Sequence, residues 1–313
     1  MGRISARRPA TVRSQFMLEV ASELVAAADF ELRQARISLR RQGDSGWPLT
    51  LLASDGPDVM ASVVSGSVTV GIVNPSVLLR LARSGIPPFR GPMPLSALAV
   101  IPSDDQLAVA VRPETGLSSL EEVRDSRYPL RLSVRGQRDH GVHVVTEHVL
   151  AAHGWTVGDL LSWGGSVSYD DGLPSRGDRV GMLARGEIDA ILDEGVGTWV
   201  DDAIDAGGRI LPLSPSALTR LEAWGYEMSD LTPGQFPRLP AAVPTIDFSG
   251  FGVYVREDLP DETVEEICRA AVARHDSILL QDGTPLPLDR ISANTPVPLH
   301  RAAERFWTET GYR

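Results

Sequence analysis

The most chemically loaded stretch of the chain is Arg135-Gly136-Gln137-Arg138-Asp139-His140-Gly141, which sits between an apolar run at 130–134 and an apolar-periodic stretch at about 141–152. A strand followed by a helix start leaves unpaired N–H groups at the loop, and guanidinium groups bind carboxylates through two parallel hydrogen bonds. Arg135 and Arg138, with Gln137 and His140 beside them, are therefore candidates to hold a small anion; the plain alternative is a solvated loop carrying ordinary surface charge. Four histidines follow closely: His140, His143, His148 and His153. On a helix, His140, His143 and Glu147 share one face. Their spacing matches no established zinc signature, so neither a metal nor any other cofactor is expected.

A second group of polar residues is set by a repeated phrase. Gly66-Ser-Val-Thr-Val-Gly-Ile-Val-Asn74 and Gly186-Glu-Ile-Asp-Ala-Ile-Leu-Asp193-Glu194 each run from a glycine that closes a helical stretch, through a short apolar strand, to a polar end. In open α/β sheets ligands gather at such carboxyl ends. Asn74, Asp193 and Glu194 are thus candidate hydrogen-bonding partners for a ligand, or else caps of the helices that follow. Thr245 and Phe248 precede the last apolar strand. Phe248 either lines a cleft or packs in the core.

Other chemistries are not visible. There is no Gly-x-Ser-x-Gly elbow, no Walker A loop and no dinucleotide glycine fingerprint. The one cysteine, Cys268, falls in an apolar-periodic stretch and reads as a core residue; one cysteine makes no intrachain disulfide. The 41 acidic residues outweigh 30 basic ones, for a net charge of −11. That balance argues against nucleic acid or an anionic membrane surface as partner, while leaving room for a local basic pocket. No apolar run reaches membrane-spanning length, and Met17–Ala28 is broken by Glu19, Ser22 and Glu23, which makes it an amphipathic helix rather than a signal peptide. The chain as written reads as cytoplasmic, and as periplasmic if an export signal is missing from it.

The elements that must place these residues alternate. Helical spacing covers 15–42, broken at Asp44–Pro48. Strands are expected at 49–53, 95–101, 107–111, 130–134, 209–213 and 251–255. Helices are expected at 141–152, 179–185, 199–206, 261–278 and 299–307, with a short one after Ser118, where Ser118 to Glu121 fits a capping box. Residues 164–178 and the proline-rich 232–244 read as loops. At 313 residues, alternating strands and helices give an α/β protein of two lobes, each a mixed, mostly parallel sheet flanked by helices. The strands near 107–111 and 209–213 are the natural crossovers between a discontinuous outer lobe, 1–110 with 211–313, and an inserted inner lobe, 111–210.

Several passages resemble type 2 periplasmic binding proteins. They are the first repeat phrase and Leu117-Ser-Ser-Leu-Glu-Glu-Val123 followed by Leu130–Gly136. Ile210–Ser214, Gln235-Phe-Pro237, Val243–Phe248 and Val255–Asp261 look like the TAXI subgroup of solute receptors for tripartite (TRAP) transporters. The resemblance spans about 48–280 and rests on order and spacing. It implies a two-lobed type 2 periplasmic-binding-protein-like fold with the 135–140 loop facing the cleft. The family's first ligand loop is glycine-rich. The corresponding stretch here, Ala10–Phe16, has no glycine, and Ser14 is its candidate contact.

The function implied is capture of a small, carboxylate-bearing solute by hinge closure, with TRAP membrane subunits as partners. Two other readings use the same fold: a cytosolic lyase or decarboxylase of small acids, with His140 or Asp193 as acid or base, and a cytosolic ligand sensor.

Overall fold

Short continuous apolar runs build the sheets, because a strand covered on both faces has no room for alternation. Leu95–Ile101 is buried at six of seven positions, and Ala108–Val111 and Ala190–Asp193 throughout. The computed structural model describes residues 12–27, 34–40, 48–54, 56–170, 172–175, 177–280 and 282–313. The basic Arg3, Arg7 and Arg8 and the break expected at 44–47 lie outside these residues.

The chain begins with α1 (Val12–Ala27), β1 (Gln34–Leu39), β2 (Leu49–Ser54), α2 (Val59–Val64), β3 (Val70–Val73), α3 (Val77–Ser84) and β4 (Leu95–Ile101). It then crosses to β5 (Ala108–Val111), α4 (Leu120–Ser126), β6 (Arg131–Arg135), α5 (Val142–Ala152), α6 (Val157–Ser162), β7 (Ser166–Asp170), α7 (Arg179–Arg185), β8 (Ala190–Asp193), α8 (Val200–Asp205) and β9 (Arg209–Ile210). It returns through α9 (Pro215–Ala223), β10 (Met228–Leu231) and β11 (Val243–Ile246) to β12 (Phe251–Arg256), α10 (Asp261–Arg274) and α11 (Arg301–Glu309).

One five-stranded sheet has the order β1-β2-β3-β12-β4 and the other β7-β6-β8-β5-β9; β10 and β11 form a separate ribbon. Two helix-flanked α/β sheets, joined by chain that crosses once at 102–107 and returns through 211–250, give the two-lobed fold expected from the sequence. Both sheets are mixed, and the parallel pairs are β2–β3, β6–β7 and β6–β8. Strand–helix alternation overstates the parallel share, since β5 and β12, which follow the crossings, run against their neighbours. A single apolar cluster runs through both sheets, taking in Val70, Leu78 and Leu98 together with Val109, Leu132 and Val149.

Three local expectations are corrected. The helix expected over 15–42 stops at Ala27, and 34–39 is a strand paired with β2, where Ser38 and Thr50 hydroxyls meet across the hairpin at 3.2 Å. The stretch 164–178 contains β7, whose serines sit on a partly exposed edge and hide its period-two pattern. The cap of α4 is one residue later than expected. The Ser119 hydroxyl accepts from Glu122 N, while the Glu122 carboxylate accepts from Ser118 N and Oγ at 2.6 Å each.

Candidate functional site

The repeated phrase does what its glycines predict. Gly66 and Gly186 have φ of 79° and 73°, left-handed values that end α2 and α7 and turn the chain into β3 and β8. Within the second copy, Asp189 enters β8 paired with Arg131 through two bonds of 2.9 and 2.6 Å. That pair anchors the strand's start, so the polar group at issue lies at the strand's far end.

There, Asp193 is fully buried. Its Oδ1 accepts from Arg135 Nε at 3.2 Å, from Arg135 Nη2 at 2.8 Å and from Glu194 N at 2.9 Å. Its Oδ2 accepts from Arg179 Nη1. Arg179, also buried, donates further to Ser133 Oγ at 2.8 Å and to Ser133 O at 3.1 Å. Arg135 Nη2 also contacts Glu194 Oε1. The His140 ring accepts from Val142 N at Nδ1, 3.1 Å, and its Nε2 lies 3.3 Å from Arg135 Nη1 and 4.0 Å from Glu194 Oε1. Buried charge is tolerated only when paired and hydrogen-bonded, and β6, α7 and β8 supply that pairing from three directions.

Glu194 is the perturbed group. Burial pushes its carboxyl well above the usual carboxylate range; a hydrogen bond to Asp105 and the charges of Asp105 and Asp193 push the same way, against the pull of Arg135. Asp105 lies in the first crossing. Its carboxyl accepts from Gln106 N at 2.9 Å, Gly195 N at 2.9 Å and Val196 N at 3.2 Å. Its backbone is bonded to the second crossing: Asp105 N donates to Ser249 Oγ at 3.0 Å, and Asp105 O accepts from Phe248 N at 2.9 Å. One residue thus ties both crossings to the end of β8.

Residues from the first sheet meet this group. Asn74 Nδ2 donates to Gly250 O at 3.2 Å. A Cβ on Gly141 would stand 2.7 Å from Asn74 O and 2.6 Å from Leu78 Cδ1, so the start of α5 and the end of β3 are in contact and the position requires glycine. A Cβ on Gly56 would stand 3.1 Å from Asp139 O. The strand ends of the two sheets therefore share one seam. At its rim, exposed Arg138 lies over the Tyr169 ring with its guanidinium carbon 3.2 Å from the centroid, and Gln137 O accepts from His143 Nε2 at 2.9 Å.

The structure thus brings Asn74, Arg135, Gln137, Arg138, His140, Asp193 and Glu194 together. It places Ser14 on exposed α1, in another part of the chain. Thr245 is buried and donates through Oγ1 to Leu107 O at 2.6 Å, and Phe248 is wholly buried in the core. Sequence reasoning missed Asp105 and Arg179. An arginine opening an otherwise apolar stretch, in Arg-Val-Gly-Met-Leu-Ala-Arg, was the available signal for Arg179; Asp105 in Ser-Asp-Asp-Gln carries none. Among the described residues no His, Cys, Asp and Glu cluster is built to hold a metal, and no helix is long and apolar enough to cross a membrane.

No curated protein sequence matches the chain. Among solved structures, a Xanthomonas citri protein bound to chloride ion is 12% identical over 83% of this chain and 82% of its own, with a TM-score of 0.40. A TctC solute binding protein from Polaromonas, without ligand, is 17% identical over 68% and 67%, at 0.37. The alkanesulfonate-binding protein SsuA from Xanthomonas axonopodis pv. citri bound to MOPS is 14% identical over 81% and 70%, at 0.32. Scores this low carry no ligand across to this chain. The sequence match is more extensive: residues 50–311 fit the family described as NMT1-like, and the chain belongs to that family.

Proposed function

We propose that this protein is a solute-binding protein that captures a small carboxylate-bearing ligand at the seam between its two sheets. The observation that carries the reading is the convergence of strand ends from both sheets, Asn74 from one and Asp193–Glu194 with the 135–141 loop from the other, on either side of paired crossings. A ligand touching both sides stabilises the closed arrangement by its extra contacts, which is the condition for binding to drive closure. In this reading 102–107 and 211–250 act as the hinge between an outer lobe that carries the first sheet and an inner lobe that carries the second, so the boundary proposed at 110/111 moves ahead of β5.

The carboxylate is assigned to Arg138 rather than Arg135. Arg135 is already engaged by Asp193 and by the Glu194 carboxyl. Arg138 lies over the Tyr169 ring and is exposed, so its guanidinium is the one in this loop open to a two-point bond with a carboxylate. The transport reading extends this: a receptor of this kind hands its solute to TRAP-type membrane subunits and works in the periplasm, which cell fractionation and co-purification test.

The binding proposal is tested by isothermal titration with succinate, benzoate and glutamate, on the parent chain and on Arg138→Ala. Binding by at least one acid, weakened at least about tenfold by the substitution, is the expected result, a loss of about 1.4 kcal/mol. If none of these anions binds a folded sample, the proposal fails.

A further inference from the structure

A pocket of about 230 Å³ lies outside the seam. It is walled by the first turns of α3, by both crossings at 102–104 and 247–250, and by the loop at 290–296. α3 separates the two places. Ser76, Val77 and Arg80 turn toward the pocket, while Leu78 points to Gly141 at the seam, as a step of 100° per residue requires. One wall is rigid: Arg80 donates to Pro296 O at 3.0 Å, Gly225 O at 2.6 Å and Glu227 Oε1 at 2.9 Å. These bonds occupy both Arg80 and Glu227.

The remaining charged lining is of both signs. Asp104 and Arg290 are exposed, and among the described residues neither side chain has a hydrogen bond or ion pair. Asp247 is half-buried; its Oδ2 accepts from Ser249 N at 3.1 Å. Burial raises the Asp247 carboxyl above its ordinary value, and nearby Glu227 and Asp105 add to this, so a cation placed there would relieve it. An ammonium group, which donates up to three hydrogen bonds, suits the two carboxylates of this wall, Asp104 and Asp247. At roughly 30 Å³ per water the space holds about eight waters, and its volume is below the roughly 300 Å³ at which drug-sized pockets begin. The occupant is therefore compact.

We propose that this pocket is a second binding site, for a small zwitterion whose ammonium faces Asp104 and Asp247 and whose carboxylate faces Arg290. The proposal is independent of what the seam binds. The test is isothermal titration of the full chain at pH 7 with glycine, β-alanine and γ-aminobutyrate as zwitterions, and with propionate and ethylamine as single-charge controls. The expected result is that at least one zwitterion binds with Kd below about 10 mM, that both controls bind at least about tenfold more weakly, and that Asp104→Asn and Arg290→Ala each weaken binding about tenfold or more. Both substitutions are at exposed positions, and far-ultraviolet circular dichroism checks that the variants are folded. The proposal is overturned if no zwitterion binds, if either control matches the best zwitterion, or if Asp104→Asn and Arg290→Ala bind like the parent. Loss of binding in Arg138→Ala but not in Arg290→Ala also overturns it, by moving the ligand to the seam.

Discussion

Arg179→Met separates a buried ion pair from an exposed one on the same helix. α7 carries two arginines, Arg179 at its start and Arg185 at its end. Arg179 is 1% exposed and its partner Asp193 is fully buried; it also holds Ser133 by two bonds. Methionine fills similar space but returns none of these bonds, and Asp193 keeps only Arg135 and the Glu194 amide. Breaking a buried pair from one side costs about 3–5 kcal/mol, because the remaining charge stays buried and underpaired. For a chain of this size roughly 2 °C is lost per kcal/mol, so the melting temperature is expected to fall by roughly 6–10 °C. Arg185 bridges Asp178 and Glu187 but is half exposed, and exposed pairs contribute little. Arg185→Met should leave the transition where it is. The assay is urea unfolding followed by circular dichroism, fitted for both variants with a common slope. A cost below about 1 kcal/mol for Arg179→Met, the range of surface pairs, would refute the reasoning that the Arg179–Asp193 pair is dry and tightly held.

Three further outcomes follow from the seam. Glu194 binds its proton more tightly in the folded chain than in the unfolded one, so stability falls as pH rises from about 4.5 toward the raised folded value, by as much as about 1.4 kcal/mol per pH unit; Glu194→Gln should flatten this slope and be more stable than the parent at neutral pH, and an unchanged slope in pH-dependent denaturation contradicts the assignment. Gly141→Ala puts a methyl group 2.7 Å from Asn74 O, an overpacking cost of about 1–3 kcal/mol that separation of the sheets relieves; small-angle scattering should report a larger radius of gyration, and an unchanged radius with unchanged stability would mean the seam is not held shut there. Asp105→Asn cannot serve three backbone donors as the carboxyl does, and hydrogen bonds to a charged group are worth about 1.5–3 kcal/mol each; thermal melting should show a loss of at least that size, whereas Asp104→Asn, one residue away and unbonded, should not.

The fold was largely legible because its signals are local. Helix C-caps at Gly66 and Gly186, and buried strands made of continuous Val, Ile, Leu and Ala, are fixed within a few residues of sequence. The placement of the polar strand ends was legible too, since a polar residue ending an apolar strand must emerge at the strand's carboxyl end; Asn74, Asp193 and Glu194 do lie at the ends of β3 and β8. What stayed hidden depends on contacts distant in sequence. Nothing near Arg135 tells that Asp193, 58 positions away, neutralises it. The role of Asp105 exists only once β8 and the second crossing are brought beside it, and Phe248 and Thr245 are drawn into the core by β5 and its flanks. β1 was lost to helical spacing because its alternation is short, and it becomes a strand by pairing with β2.

Hydrogen–deuterium exchange with a bound anion tests the central claim most directly. With succinate, or whichever acid proves tightest, at saturating concentration, peptides covering 72–80 of the first sheet and 135–143 and 192–197 of the second should be protected together, with 102–107 and 247–250 following. Protection confined to one sheet, or no change in a sample that binds the anion, would contradict capture between the two lobes.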